Sequence, residues 1–81
     1  MRVVEWIGTC SDSKVAAIAE TKGRAFSYAK AKKLVKEFDP ALYEELQMDF
    51  ENQWADKTKL VKGKYLVVVY SAIDYVFLVE G

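Results

Sequence analysis

The sequence predicts an α+β fold: a single small two-layer domain with the element order ββααββ, in which two amphipathic helices cover one face of a four-stranded, mainly antiparallel sheet. Three observations predict it. Residues 63–81 are almost continuously apolar, residues 22–56 carry two helical hydrophobic stripes, and residues 2–8 alternate as a strand does. Because two helices laid on one sheet bury both stripes, one domain at 1–81 accounts for the whole chain.

The composition is that of one globular domain. The chain has 81 residues, of which 52% are hydrophobic and 30% charged, a folded rather than a disordered profile. At this length only roughly 60% of the unfolded chain's surface can be buried, so stability should be modest. The single cysteine, Cys10, cannot form an intramolecular disulfide, and no apolar leader with a small-residue cleavage site opens the sequence. A reducing, cytoplasmic location is therefore expected.

The first two predicted strands form a hairpin. Residues 2–8, RVVEWIG, place Val4 and Trp6 on one side of a strand, and residues 9–13, TCSDS, have the short polar side chains that favour a turn. Residues 14–21, KVAAIAET, are ambiguous: their alanines favour a helix, whereas their position between a turn and Gly23 favours a returning strand. We predict the strand, and the alternative is one long helix over 13–38.

Two helices are predicted in the middle of the chain. Over 22–38 a helical period gathers apolar side chains on one side and lysines on the other. Asp39 suits a helix N-cap and Pro40 suits the first helical position, so the second helix should begin there. Over 41–57 apolar side chains recur every four residues opposite a row of acids, and these apolar positions are Leu42, Leu46, Phe50 and Trp54.

The apolar C-terminal stretch predicts a central hairpin. From 65 to 79 it spans 15 residues and includes Asp74, which is short of the roughly 20 residues that a membrane-spanning helix needs. We expect no membrane association and predict strands over 64–71 and 74–80. Neither strand alternates cleanly between apolar and polar residues, so both faces of the sheet should be covered at these strands. The helices would cover one face, and the first hairpin, a second copy or a partner would cover the other.

Charge is segregated along a chain whose net charge is zero. Residues 1–36 hold eight basic and three acidic side chains, 37–56 hold seven acidic and no basic ones, 57–64 hold four lysines, and 65–81 hold two acids. Such blocks are solvated faces, surfaces that pair along the rims of neighbouring helices, or binding sites. Because Glu45 and Asp49 lie four residues apart with no lysine in their helix, they repel each other, and something basic should compensate.

Composition excludes several chemistries. The chain has no histidine, which removes catalytic triads and zinc sites of the usual kind, and its isolated glycines form no phosphate-binding loop. Glu45 and Asp49 could hold a divalent cation or act as an acid/base pair, but acids at this spacing are common on solvated helices. Cys10 would be reactive only beside a cation. We predict that the protein is not an enzyme and has no metal or cofactor.

A protein-binding module is the favoured function. The chain lacks a catalytic set and carries an acidic helix face, which could occupy a groove that normally holds phosphates; the expected partner is a protein, for example one that binds nucleic acid. In size, lack of catalytic residues and charge partition the chain resembles the short inhibitors that phages and other mobile elements encode, including anti-CRISPR proteins, which implies an inhibitor or regulator. The predicted partner-binding residues are Glu44, Glu45, Met48, Asp49, Glu51 and Asp56.

Nucleic-acid binding is the first alternative. The basic face of the first helix and the segment KTKLVKGK at 57–64 would contact phosphates, although an isoelectric point of about 6.2 is low for this function. The fourteen residues TKGRAFSYAKAKKL at 21–34 resemble the basic helix that opens toward phosphates in double-stranded RNA-binding domains. The residues of this prediction are Lys22, Arg24, Lys30, Lys33, Lys36, Lys57, Lys59, Lys62 and Lys64.

A homo-oligomeric structural protein is the second alternative. The last strand, DYVFLVEG at 74–81, has few of the charges or prolines that protect the edge of a sheet. It could therefore pair with its copy in a second chain, which predicts a homodimer through the C-terminal hairpin.

Overall fold

A computed structural model of the chain describes residues 1–9, 11–50, 55, 57–70 and 73–81, with the backbone alone at 48–50 and 70. The described residues form five strands and three helices, a small α+β domain. The strands are β1 (Arg2–Thr9), β2 (Arg24–Ala25), β3 (Lys57–Val61), β4 (Tyr65–Tyr70) and β5 (Ile73–Glu80). The helices are α1 (Ser13–Glu20), α2 (Tyr28–Phe38) and α3 (Pro40–Phe50).

The strands form one antiparallel sheet in the order β1-β5-β4-β3-β2. The predicted C-terminal hairpin is confirmed, since β4 pairs with β5 from Tyr65 opposite Leu78 to Tyr70 opposite Ile73. Its second strand begins at Ile73, and Asp74 lies within the strand opposite Val69. Both strands of this hairpin have a hydrogen-bonded neighbour on each side, so they are central, as the lack of alternation indicates.

The last strand is therefore not a sheet edge, and this premise of the predicted homodimer is wrong. Strand β5 is paired with β4 on one side and with β1 on the other. The N-terminal strand closes the side that the hairpin alone would leave open, and the edges of the sheet are β1 and β2. Self-association itself stays a prediction, but it would have to use another surface.

The sheet has helices on both faces, which gives three layers instead of the predicted two. On one face, Leu66 and Phe77 belong to a core cluster that includes residues of α2 and α3. On the other face, Val67 and Val76 belong to a second cluster with Val15 of α1. The uninterrupted apolar run of β4 and β5 thus has a simple cause: neighbouring side chains point into two different cores.

Residues 14–21 form a helix, so the predicted second strand is wrong. Helix α1 begins after Asp12, whose side chain accepts hydrogen bonds from the backbone N–H groups of Lys14 and Val15 at 2.8 and 3.4 Å. This N-cap and the helix preference of the alanines outweigh the nearby turn. The alternative of one long helix over 13–38 is also wrong, because the chain becomes extended at Thr21 and pairs as strand β2.

The four-stranded sheet is likewise corrected to five strands. Residues 57–61, part of which the sequence pattern assigned to the end of the second helix, form strand β3 beside β4. Strand β2 adds two residues, with Arg24 opposite Leu60 and Ala25 opposite Lys59. The basic helix consequently begins at Tyr28, behind an N-cap in which Ser27 Oγ accepts from the Lys30 N–H at 3.3 Å, and not at residue 22.

The predicted junction between the two amphipathic helices is confirmed. Pro40 is the first residue of α3, and Asp39 Oδ1 accepts a hydrogen bond of 3.1 Å from the Leu42 N–H. Leu46 is buried in the core between α3 and the sheet. Trp54, the last position of the predicted stripe, lies outside the described residues. No helix in the described part of the chain is long and apolar enough to cross a membrane.

Candidate functional site

A close approach of two segments brings basic residues from distant parts of the chain to one surface. The loop between α1 and β2 runs over the backbone of β3, where a Cβ atom on Gly23 would lie 2.7 Å from the carbonyl oxygen of Leu60. Only glycine permits this separation, because the atom it would meet is backbone and cannot move aside. The approach places Lys22 and Arg24, on either side of Gly23, next to β3.

The turn between β3 and β4 supplies the other half of this surface. Lys62 and Gly63 both have positive φ angles, 54° and 72°, and the Lys64 N–H donates to the Val61 carbonyl at 3.1 Å. Two successive residues of this conformation reverse the chain tightly, as in the turns that favour β-hairpins. Lys62 and Lys64 are exposed as a result.

Two adjoining cavities lie along this edge of the sheet. The first, of about 480 Å³, is lined by Lys22, Gly23, Arg24, Leu60, Lys62 and Gly63. The second, of about 320 Å³, is lined by Glu20, Lys22, Gly23, Ala25, Lys57, Thr58 and Lys59. They share Lys22 and Gly23. We call the exposed cations Lys22, Arg24, Lys57 and Lys62 the basic cleft.

The basic cleft contains four of the nine residues of the nucleic-acid prediction, and of the other five only Lys59 lines one of the two cavities. Lys59 is only 8% exposed, and its Nζ donates a hydrogen bond of 2.9 Å to the carbonyl oxygen of Thr21. Lys64 lies in the turn, with its Nζ 5.0 Å from the ring centroid of Tyr65. Lys30, Lys33 and Lys36 are exposed on α2 and line neither cavity.

The predicted acidic surface is described only in part. Glu44 and Glu45 are exposed on α3. The side chains of Met48 and Asp49 lie outside the described atoms, and Glu51 and Asp56 lie outside the described residues. In the part of the chain that the structure describes, no group of three or more acidic or cysteine side chains is placed to hold a metal ion.

Two lysines of α2 lie over tyrosine rings, one ring on α2 itself and one on α3. The Nζ of Lys36 lies 5.7 Å from the ring centroid of Tyr43, and that of Lys32 lies 4.7 Å from the ring of Tyr28, within the range of cation–π attraction. Burial raises the pKa of Tyr28 to about 12, and the neighbouring Tyr43 adds to this rise. Among the described residues, the only ion pair joins Arg2 and Glu80 at 2.6 Å.

The exposed Trp6 and the half-buried Tyr75 form an aromatic pair that the sequence did not indicate. Trp6, 42% exposed on β1, stacks on Tyr75 of β5 with ring centroids 6.4 Å apart and an interplanar angle of 28°. Ile73, which is 40% exposed, lies further along β5. The alternation of residues 2–8 places Trp6 on one side of its strand. Tyr75 comes beside it because β1 pairs with β5, and the sequence around Trp6 does not indicate that pairing.

Comparison of the chain with protein-family models, curated proteins and solved structures finds no match.

Proposed function

We propose that the protein is a non-catalytic protein-binding module, a small inhibitor or regulator of the kind that phages and mobile elements encode, which presents the acidic face of α3 to a basic partner surface. A cytoplasmic location is part of the proposal and is supported by the single cysteine. The observation that carries the protein-binding function is that Glu44 and Glu45 are exposed and form no ion pair with any described residue.

The missing pairing is informative because a lysine-rich helix packs directly against α3. Lys36 lies over the ring of Tyr43, next to Glu44 in the sequence, and forms no ion pair with a described carboxylate. No described lysine of α2 therefore forms an ion pair that offsets the negative charge of Glu44 and Glu45. A basic partner would offset it, and complementary charge would also accelerate the encounter between the two proteins.

The test is a charge reversal on α3. The double variant Glu44→Lys/Glu45→Lys is compared with Glu5→Lys/Glu20→Lys, which changes the net charge equally at exposed positions on β1 and α1. Proteins that co-purify with the wild type are identified, and the affinity of each is then measured by calorimetry. We expect the α3 variant to lose at least about tenfold in affinity and the control to bind as the wild type does. Equal binding of every partner by both variants would refute the proposal.

Nucleic-acid binding is a second candidate, favoured by the convergence of the two basic segments. Lys22 and Arg24 come from one segment, Lys57 and Lys62 from another, and together they line adjoining cavities. Anisotropy of a labelled random DNA or RNA, measured at several salt concentrations, tests it. Binding that weakens steeply with salt would support this function. Phosphate contacts are strong at low salt, on the order of 50 mM, so the absence of binding there would exclude it.

A further inference from the structure

The first cavity of the basic cleft differs from an ordinary solvated lysine surface in its lining. Its charged residues are Lys22, Arg24 and Lys62, and no carboxylate of the described residues lines it, whereas Glu20 lines the second cavity. None of the three cations forms an ion pair with a described residue. Three like charges around a concave surface repel one another and concentrate a positive potential there, which an anion would relieve.

The backbone holds these cations together at a conformational cost. Lys62 has a φ of 54°, a left-handed conformation that costs a residue with a Cβ atom roughly 1–2 kcal/mol. The hairpin turn between β3 and β4 requires this conformation, and it places Lys62 at the cavity wall. Gly23 and Gly63 add no side chain to the wall, so a ligand can approach the backbone between the cations.

We propose that this cavity binds a phosphate group of a nucleic-acid backbone. The guanidinium of Arg24 suits bidentate contact with two phosphate oxygens, and the ammonium groups of Lys22 and Lys62 suit neutralisation of the charge. The second cavity continues the site past Lys22 to Lys57, which favours a chain of phosphates over an isolated anion. The inference rests on the second candidate function and names the residues that would carry it.

The experiment compares two pairs of neutral substitutions that remove the same charge. Arg24→Gln/Lys62→Gln alters the cavity, and Arg2→Gln/Lys14→Gln alters an arginine and a lysine that are exposed on β1 and α1 outside it. The affinity of each variant for a labelled single strand is measured by anisotropy over a range of salt concentrations. We expect the cavity variant to lose at least about tenfold in affinity and to flatten the plot of log K against log salt by about 0.7 for each lost phosphate contact. The Arg2→Gln/Lys14→Gln control should stay within about twofold of the wild type.

Two results would overturn the proposal, and they differ in meaning. If the wild type binds and both variants weaken equally, nucleic-acid binding stands but the cavity is not its site. If the wild type does not bind, the second candidate function fails together with the subsite. If the cavity variant does not fold, the site is located by NMR instead, from the amide chemical shifts of the wild type during titration with the unlabelled strand. We expect the amide signals of Gly23 and Gly63 to shift. Shifts confined to α2 would overturn the assignment.

Discussion

The Nζ of Lys59 donates a hydrogen bond of 2.9 Å to the carbonyl oxygen of Thr21, 38 residues away in the sequence. Thr21 is the C-cap of α1, where the last carbonyl groups of a helix lack intrahelical partners and carry the negative end of its dipole. A lysine from strand β3 thus ties the end of α1 to the sheet. The bond explains why this lysine is buried while Lys57, two residues earlier on the same side of the strand, is exposed.

Replacing Lys59 should destabilise the fold. Lys59→Met keeps most of the apolar stem but leaves the Thr21 carbonyl without its donor, which should lower the free energy of unfolding by about 1–3 kcal/mol. Urea denaturation measures the change. Lys57→Met, at the exposed position, should stay within about 0.5 kcal/mol of the wild type. Equal stability of the two variants would mean that the bond contributes nothing.

Gly23→Ala should destabilise the domain through a clash, and Gly63→Ala through strain. The added methyl group at 23 would meet the Leu60 carbonyl at 2.7 Å, whereas nothing lies within 4 Å of a Cβ at 63, where φ is 72°. We expect losses of about 1–3 kcal/mol from the clash and about 1–2 kcal/mol from the strain, measured by urea denaturation.

Asparagine separates these two causes. It tolerates the left-handed conformation better than alanine does, so Gly63→Asn should recover much of the stability lost in Gly63→Ala. Gly23→Asn should be no better than Gly23→Ala, since its Cβ meets the same carbonyl. Recovery at position 23 would contradict the close approach.

Leu46→Ala should weaken the attachment of α3. Leu46 is buried in the core that α3 shares with α2 and the sheet, and truncation of a buried leucine costs about 2–5 kcal/mol. A domain of this size has a total stability of roughly 4–12 kcal/mol, so the loss is a large part of it. Thermal unfolding measures the effect, and Leu42→Ala, at a half-buried position of the same helix, should cost less. The reverse order would show that α3 docks differently.

Thr58→Val should stabilise the protein. Thr58 is 8% exposed, and within the described structure its hydroxyl oxygen is buried without a hydrogen-bond partner. Valine has nearly the same shape and no polar atom, so removal of the uncompensated hydroxyl should raise the free energy of unfolding by about 1 kcal/mol. Thr58→Ser, which keeps the hydroxyl and loses a methyl group, should be less stable than the wild type. A loss of stability in the valine variant would reveal a partner for the hydroxyl.

Stability should fall in alkaline solution as Tyr28 ionises. Its pKa is raised from the ordinary 10.0 to about 12, chiefly by burial and also by Tyr43. Between these values the unfolded state releases the proton while the folded state retains it, so the contribution of Tyr28 is complete below pH 10.0 and is lost as the pH rises to about 12. Unfolding followed against pH, with Tyr28→Phe as the control, checks it. A decline of the same steepness in the variant would assign it to other groups.

Local patterns in the sequence were sufficient for the elements whose signals agree. In each of these elements a hydrophobic period coincides with turn or cap chemistry. They are the hairpin of β4 and β5, the apolar stripes of α2 and α3 that include Leu34 and Leu46, and the junction at Asp39 and Pro40. Helix α1 was missed because its eight residues satisfy two local rules that conflict, and Asp12 resolved the conflict by capping the helix. Strand β3 was not predicted because its lysines are typical of an exposed segment, whereas the neighbouring strands bury most of its residues.

The charge blocks, the central hairpin and the absence of histidine chemistry were determined by the sequence alone, because each depends on composition or on the spacing of nearby residues. Only the tertiary structure decided which charges meet. The pairing of Arg24 opposite Leu60 brings two distant basic segments to one edge, and the bond from Lys59 to Thr21 removes one lysine from the surface. Strand pairing joins residues far apart in the chain, and its choice depends on packing energy summed over the whole sheet, so no local pattern encodes it.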